Sequence, residues 1–335
     1  MSGQRQLWQD RAKGVGIVLV VFGHVLRGLM AAGIAPDAAW TRALDYTLYT
    51  FHMPLFFLLA GLNAERSLRR GAAGFLRDKL HTIVWPYFLW SFVQGIVQIK
   101  MAGLVNGAFT SDVFRTILYE PIAQFWFLYG LMVCHIGFVV LGRSRALLLA
   151  GAVVAVAASP FAPFYPGKYL FNFGFYVCGV VLSARLAQWG AARDGRDGAW
   201  LFLALAGFAG AVWAAHATGY DYASPAAIPA AAFGIAATLI ACKTMGGAFG
   251  RVFATVGAMS MTIYILHIMA GAGARVVMMR LGVPHDPFVY LVVATFVGVA
   301  APMVAHMALA RMGWLATLGL APARRPAPRL AGQGA

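Results

Sequence analysis

Three histidines lie inside long apolar stretches of the chain: His24 in GIVLVVFGHVLRGL, His52 in YTFHMPLFFLLAG and His267 in MSMTIYILHIM. An imidazole takes up or releases a proton near neutral pH, and a polar group among aliphatic neighbours needs a partner helix or a cavity. His24 follows Lys13 by eleven positions, which is about 16 Å along a helix. That depth makes His24 the first candidate for a buried proton acceptor. A structural hydrogen bond between helices is the alternative.

Other residues accompany the second and third histidines. Pro54 follows His52 and removes a backbone hydrogen bond, so we expect a kink that opens room beside the imidazole. Tyr264 precedes His267 by three positions, which puts both side chains on one face of a helix. Trp126 is in the stretch FWFLYGL and lies either in a cavity or in an interfacial aromatic belt. His52, Trp126, Tyr264 and His267 are therefore candidates for a substrate pocket.

A basic cluster follows the second apolar stretch. Its five cations lie within fourteen residues: Arg66, Arg69, Arg70, Arg77 and Lys79. Arg66 and Arg69 stand three positions apart, on one face of a continuing helix, and a pair of guanidinium groups suits phosphate oxygens. The alternative is a cationic loop that sets membrane topology and contacts lipid headgroups.

Several other chemistries lack their sequence signatures. The chain has no HExxH zinc helix, no GxSxG elbow and no phosphate-binding P-loop. Its three cysteines lie singly in apolar stretches without a metal-ligand spacing, so we expect no metal. Carboxylates are nearly absent from the apolar stretches, where Asp45 is the nearest. This scarcity disfavours a proton-driven transporter and leaves histidine as the titrating group.

Composition sets the class of protein. Of 335 residues, 61% are hydrophobic and 11% are charged, with a mean hydropathy of +0.74. Soluble domains carry about 25% charged residues, so most of this surface must face lipid. The net charge of +15 comes from short clusters between apolar stretches. It is better explained by cytoplasmic loops of a membrane protein than by nucleic-acid binding.

The elements that must position these residues are transmembrane helices. A spanning helix needs about 20 apolar residues, and the predicted spans are 14–34, 45–64, 80–100, 122–142, 146–163, 168–187, 199–217, 224–242, 252–272 and 288–310. With both termini inside, 19 of the 26 cations fall in inside segments and 7 in outside segments. The sequence thus predicts an all-α, multi-pass protein with about ten helices and cytoplasmic termini.

The predicted domain organisation is simple. Residues 1–312 form one integral membrane domain. Residues 313–335 form an Ala/Pro/Arg-rich cytoplasmic tail, which we expect to be disordered because it has little apolar surface to bury.

Five motifs in order resemble the acyltransferase family 3 membrane proteins, over about residues 8 to 312. They are WQDRAKGVGIVLVVFGHV, FHMPLFFLLAGL, RSLR with the following RDKLHTIVWPY, FWFLYGL, and IYILH. Family members include O-acetyltransferases of bacterial surface polysaccharides. In the family a basic residue and a histidine separated by ten residues mark the first helix, as Lys13 and His24 do here. Where many relatives have a serine–glycine–phenylalanine turn, this chain reads AGLNAERS, so contacts near Asn63 differ.

The resemblance implies a function in the bacterial cytoplasmic (inner) membrane. An acyl group, in the first instance acetyl, would pass from cytoplasmic acyl-CoA to a hydroxyl of a saccharide or glycoconjugate at the far membrane face. His24 would be the catalytic base and Lys13 its basic partner. The arginine pair Arg66 and Arg69, with Arg70, Arg77 and Lys79, would bind the CoA phosphates. Direct transfer and an acyl-histidine relay both remain open.

Two other classes of function fit the same composition. A secondary transporter or exporter of a lipid or saccharide would show paired broken helices in two repeats, and the sequence shows no such pairing. A membrane scaffold or sensor would tolerate loss of His24 and of the arginine pair.

Overall fold

The computed structural model describes residues 7–69, 71–101, 112–192, 194–219 and 221–322. Over these ranges the chain is a bundle of helices, without a strand. The helices are α1 (Leu7–Ala31), α2 (Ala39–Leu68), α3 (Ala72–Lys79), α4 (Trp85–Lys100), α5 (Val113–Thr116), α6 (Trp126–Leu141), α7 (Arg145–Ala158), α8 (Phe164–Ala191), α9 (Asp197–Ala217), α10 (Ile228–Thr244), α11 (Gly247–Ala258), α12 (Ser260–Arg280) and α13 (Pro287–Arg311).

Eight helical segments of the described chain are long and apolar enough to cross a membrane. They are α1, the continuous segment Ala72–Lys100, Ala123–Leu141, α8, α9, Pro225–Thr244, α12 and α13. The all-helical, multi-pass prediction is confirmed at this level. The count of ten and the cytoplasmic termini stay predictions, because α2 and the shorter α7 are not among these eight.

The helix α2 can contain polar residues because it lies inside the bundle. It packs against α1, α8 and α10, so protein rather than lipid surrounds most of its length. A Cβ atom on Gly61 would overlap the Tyr176 carbonyl of α8, and one on Gly179 would overlap the Leu58 carbonyl. Small residues thus let the two backbones touch. The helix runs through Pro54 without ending there.

The ninth predicted span, 252–272, was wrong in its boundaries. The helix breaks at Met259 (φ −100°, ψ 7°), which separates α11 from the long helix α12. A Cβ atom on Gly14 would overlap the Phe253 carbonyl, and one on Gly257 would overlap the Asp10 carbonyl. This close contact fixes α11 against α1, and the chain turns at Met259 before α12 begins. His267 therefore lies in the second turn of its helix.

The predicted disordered tail was also wrong for its first ten residues. Residues 313–322 fold back onto the start of α4, where the indole N–H of Trp85 donates to the Thr317 carbonyl at 2.8 Å. The indole of Trp90 donates to the Leu318 carbonyl at 2.9 Å, and Leu320 is buried. The segment WLATLGL supplies apolar side chains that the composition of the whole tail conceals. Residues 323–335 lie outside the described residues.

Candidate active site

His24 lies in the middle of α1 beside two aromatic rings from other helices. The centroid of its ring is 5.1 Å from that of His267 on α12 and 6.1 Å from that of Tyr49 on α2. Gly23 lets Tyr49 come close, because a Cβ atom there would lie 3.1 Å from the tyrosine ring. Two of the three predicted intramembrane histidines therefore meet. No described residue forms a hydrogen bond with the His24 ring, so its nitrogens are available to a ligand.

The other two histidines share one hydrogen-bonding arrangement. The Nδ1 atom of His52 donates to the Leu48 carbonyl at 2.5 Å, and that of His267 donates to the Tyr264 carbonyl at 2.7 Å. A carbonyl only accepts, so each Nδ1 carries the proton and each Nε2 is a bare acceptor. Both side chains are buried, and neither Nε2 has a hydrogen-bond partner in the described chain. His52 borders none of the cavities described below. The ring of Tyr49 lies 4.6 Å from it, by centroids.

An ion pair lies one helical turn beyond His24. The Nε and Nη2 atoms of Arg27 donate to the two carboxylate oxygens of Asp45, at 2.6 and 2.8 Å. The guanidinium carbon also lies 3.3 Å from the centroid of the Tyr49 ring and 5.5 Å from that of Tyr222. The pair joins α1 to α2 and fixes the plane of the guanidinium group.

A cavity of about 310 Å³ opens between His24 and this ion pair; we call it the Arg27 chamber. Aromatic and polar side chains line it: Tyr49, Trp126, Phe164, Tyr165, Phe171, Asn172, Lys168 and Tyr222. The Asn172 side chain donates to the Lys168 carbonyl at 2.9 Å, but its oxygen has no partner in the described chain. The Tyr49 hydroxyl has none either. Buried polar atoms without partners are rare, so this chamber is suited to a polar ligand.

The Lys168 ammonium projects over two rings of the Arg27 chamber. Its Nζ atom lies 3.7 Å from the Phe164 centroid and 5.3 Å from the Trp126 centroid. It forms no ion pair with a described residue. The Trp126 ring therefore lines a cavity, which is one of the two positions expected from the sequence.

A second cavity of about 250 Å³, the Lys13 chamber, reaches the same region from the opposite end of α1. Its lining includes Lys13, Asn63, Lys79, Phe127, His135 and Tyr264. The Nζ atom of Lys13 lies 3.7 Å from an oxygen of Asp10, at the edge of the chamber. The Met53 side chain borders both this chamber and the Arg27 chamber. It is therefore part of the wall between them.

Two further cavities adjoin the Arg27 chamber. The His267 chamber, about 200 Å³, begins at His24 and His267 and is lined mostly by apolar residues of α1, α4 and α12. The Arg42 vestibule, about 350 Å³, shares Arg27 and Tyr222 with the Arg27 chamber and also contains Tyr46 and His216. His24 thus stands where the Arg27 and His267 chambers meet, with the Lys13 chamber behind Met53.

A buried amide pair holds the loop that precedes α6. The side chains of Gln94 and Gln124 donate to each other at 3.2 and 2.8 Å, and Gln124 also donates to the Ile265 carbonyl at 3.3 Å. The Tyr264 hydroxyl donates to the backbone carbonyl of Gln124. Ala123 beside it has a φ of +43°, a left-handed conformation that an alanine adopts only under constraint. The network joins α4, α6 and α12 and holds Trp126 at the Arg27 chamber.

The predicted phosphate-binding cations divide into two groups. Lys79 borders the Lys13 chamber. Arg66, Arg69 and Arg77 are exposed and border none of the described cavities. Arg66 lies one helical turn beyond Asn63, which is at the mouth of the Lys13 chamber. Arg70 lies outside the described residues.

Sequence reasoning missed several residues of the Arg27 chamber. Arg27 was not among the predicted site residues, although it follows His24 by one helical turn and so shares its face. Asn172 is a polar residue inside the apolar stretch YLFNFGFYV, a pattern that signals a partner or cavity. Tyr49 and Lys168 had no such signal, because their roles depend on which helices meet. Among the described residues, no group of three or more His, Cys, Asp or Glu side chains could hold a metal ion.

Comparison with known proteins assigns the chain to a family. A family model described as "Acyltransferase domain" matches residues 6–307, which is nearly the whole chain. The chain belongs to this acyltransferase family. The match includes His24, both chambers beside Met53 and the His24–His267 contact, so the cavities lie inside the family's domain.

Two curated relatives are similar over part of the chain. The nodulation protein NolL of Mesorhizobium japonicum is 26% identical over 186 residues, which are 54% of this chain and 49% of the relative. The nodulation protein NolL of Sinorhizobium fredii is 21% identical over 191 residues, which are 56% of this chain and 51% of the relative. These alignments thus span about half the length of each relative. No solved structure matches the chain.

Proposed function

We propose that the chain is a membrane O-acyltransferase that moves an acyl group, acetyl in the first instance, from acyl-CoA to a hydroxyl of a saccharide or glycoconjugate. The observation that carries this proposal is the position of His24. It lies at the polar, aromatic Arg27 chamber, and the Lys13 chamber with its cationic mouth ends at the other side of Met53. Membership in the acyltransferase family supports the class of reaction.

The reaction assigned to His24 is general base catalysis. The neutral imidazole takes the proton of the acceptor hydroxyl while that oxygen attacks the thioester carbonyl. The carbon–sulfur bond breaks, and the proton passes from His24 to the departing thiolate. The products are the acyl ester and free CoA. This acyl transfer uses no metal ion and no redox group.

The Lys13 chamber is the proposed route of the donor. The pantetheine arm would run along it and past the Met53 side chain, so that the thioester reaches His24, with Lys13 and Lys79 at the wall of the chamber. The phosphates would stay outside the chamber, at the exposed Arg66, Arg69 and Arg77, with Arg70 as a further candidate. Guanidinium groups bind phosphate oxygens in pairs, which fits a nucleotide held at the surface.

The Arg27 chamber is the proposed site of the acceptor. Saccharides stack on aromatic rings and need hydrogen-bonding groups for their hydroxyls. The chamber offers both, since Trp126 and Tyr222 supply rings. The bare oxygen of Asn172 and the Tyr49 hydroxyl supply polar atoms. An acceptor would enter through the Arg42 vestibule.

The thioester oxygen needs a hydrogen-bond donor as negative charge develops on it. Three of the predicted pocket residues could supply it: His52, Trp126 and Tyr264. The Tyr264 hydroxyl donates to the Gln124 carbonyl, and His52 borders none of the described cavities. Trp126 borders the Arg27 chamber, so we assign the donor role to its indole N–H. The acyl carbon would lie against His24, and its chain would extend into the His267 chamber.

Placed in a membrane, this arrangement gives each of the two substrates its own side of the bilayer. We propose a multi-pass protein of the bacterial inner membrane with Lys13 on the cytoplasmic side, as the distribution of cations predicts. Acyl-CoA then arrives from the cytoplasm, and the acceptor arrives from the far side. Histidine near the bilayer centre lets the two substrates meet without either crossing.

Purified protein in nanodiscs provides the test. Release of CoA from acetyl-CoA, measured with a thiol reagent, should require a saccharide acceptor. His24→Ala should lower that turnover by about 100-fold or more, the range expected for loss of a general base. His306→Ala is the matched control, because His306 bonds to Thr262 away from the chambers. Undiminished turnover in the His24 variant would refute the proposed role.

A further inference from the structure

We propose that His267 is the positioning residue for His24: its bare Nε2 accepts a hydrogen bond from the N–H of the His24 ring. The inference rests on the proposed function, because it assigns a partner to the proposed base. A catalytic histidine needs such a partner to fix its tautomer and its orientation. Carboxylates usually serve this purpose. Here Asp45 is already bound by both prongs of Arg27.

The hydrogen bonds of His267 prepare it for this role. Its Nδ1 atom lies 2.7 Å from the Tyr264 carbonyl and 3.1 Å from the Ile263 carbonyl. The proton therefore stays on Nδ1, and the lone pair of Nε2 is directed away from the backbone of α12. The side chain is 1% exposed, and its Nε2 has no partner among the described residues. A buried acceptor without a donor is destabilising, and a hydrogen bond from His24 would relieve that cost.

The distance between the rings fits a hydrogen bond. Two ring nitrogens about 2.9 Å apart, each about 1.2 Å from its centroid, separate the centroids of collinear rings by about 5.3 Å. The centroids of His24 and His267 are 5.1 Å apart, and the ring planes are inclined by 55°. The nitrogens are not yet hydrogen-bonded. A turn of the His24 ring brings its N–H to Nε2, in keeping with catalytic bonds that tighten when substrate binds.

This contact assigns each nitrogen of His24 a separate task. One nitrogen, as N–H, donates to His267, and the other keeps its lone pair for the acceptor hydroxyl in the Arg27 chamber. When His24 takes the hydroxyl proton, the imidazolium still donates to His267. The same proton then leaves His24 for the thiolate of CoA. His267 keeps its own proton on Nδ1 throughout, so it gains and loses nothing.

A pair of variants separates positioning from packing. His267→Gln keeps an acceptor oxygen near the position of Nε2, whereas His267→Met has a side chain of similar length without one. Methionine fills irregular gaps well, so both proteins should fold. We expect kcat to fall about 10-fold in the glutamine variant and about 1,000-fold in the methionine variant, within the range of positioning effects. The KM for acetyl-CoA should stay within about twofold, because the contacts assigned to the CoA phosphates and the pantetheine arm do not involve His267.

The measurement is steady-state turnover of acetyl-CoA in nanodiscs, with thermal unfolding followed for each variant. His306→Gln and His306→Met form the matched control pair and should not differ from each other. Equal kcat for the two His267 variants, at any level, overturns the inference, because the acceptor atom is then irrelevant. If His24→Ala loses activity while the two His267 variants have equal kcat, the proposed function still stands. Full activity in His24→Ala would instead remove the proposed function itself.

Discussion

Arg27 and Asp45 form a two-pronged ion pair, with donor–acceptor distances of 2.6 and 2.8 Å, one helical turn from His24. The pair joins α1 to α2, and Tyr49 lies under the guanidinium plane at 3.3 Å. It therefore couples the position of the proposed base to the wall of the Arg27 chamber. This relationship leads to the first of four predictions.

Asp45→Asn should weaken use of the acceptor. The amide cannot accept both prongs of Arg27, so the guanidinium loses its fixed plane over Tyr49. We expect kcat/KM for the saccharide acceptor to fall about 10-fold, or about 1.4 kcal/mol. Asp37→Asn is the matched control, because the Arg42–Asp37 pair is 3.4 Å apart with both side chains mostly exposed. That control should change kcat/KM by less than about twofold. Equal effects of Asp45→Asn and Asp37→Asn on kcat/KM would show that the Arg27–Asp45 pair has no special role.

Met53→Ala should join the Lys13 and Arg27 chambers. Loss of the side chain widens the passage between the two chambers, and water can then reach the thioester at His24. We expect free CoA to appear in the absence of acceptor, at a rate about 10-fold above that of the unaltered protein. Stability should fall by about 2 kcal/mol, since a buried methionine is truncated. The assay compares CoA release with ester formation.

The control for that variant is Met279→Ala, on the exposed surface of α12. It should leave both rates unchanged. Tight coupling of CoA release to ester formation in Met53→Ala would contradict the idea that Met53 keeps water from the thioester.

Gly28→Leu should narrow the range of acyl donors. Gly28 borders the His267 chamber, and a Cβ atom there meets nothing within 4 Å, so a longer side chain has open space at its base and can extend toward the cavity. If the acyl chain extends into this chamber, use of butyryl-CoA and hexanoyl-CoA should fall about 10-fold or more. Use of acetyl-CoA should stay within about twofold. Competition between donors of different length, followed by mass spectrometry of the ester, measures this.

Gly210→Leu provides the matched control for the chamber. A Cβ atom on Gly210 also meets nothing within 4 Å, and this residue of α9 borders none of the described cavities. An equal loss of acetyl and hexanoyl transfer in the Gly28 variant would place the acyl chain elsewhere.

The double variant Arg66→Gln, Arg69→Gln should raise the KM for acetyl-CoA. If these exposed arginines bind the CoA phosphates, their loss removes two charge-assisted contacts. We expect KM to rise about 10-fold with little change in kcat, because the phosphates do not react. Arg251→Gln, an exposed cation on α11, is the control and should leave KM unchanged. A fall in kcat at constant KM would indicate a structural role for the pair instead.

The helical architecture was largely predictable from local pattern. The length of each apolar stretch and the spacing of charged residues predicted a helix at nearly every place where the structure has one. Both features are properties of a single segment, so they can be seen in the sequence. The break at Met259 was not predictable, because it follows from the contact of Gly14 and Gly257 between two helices. The packing of residues 313–322 was missed for a related reason. The segment is held by hydrogen bonds from the indoles of Trp85 and Trp90, which are far away in the sequence.

The site shows the same division. By itself the sequence determined the membrane class, the depth of His24 along its helix and the basic character of the loop after α2. Each follows from composition or from the 1.5 Å rise of a helix. Only the tertiary structure decided that His267 would face His24, that Arg27 would pair with Asp45 and that Met53 would lie between two chambers. The physical reason is that such contacts depend on how helices rotate and cross when their side chains close-pack.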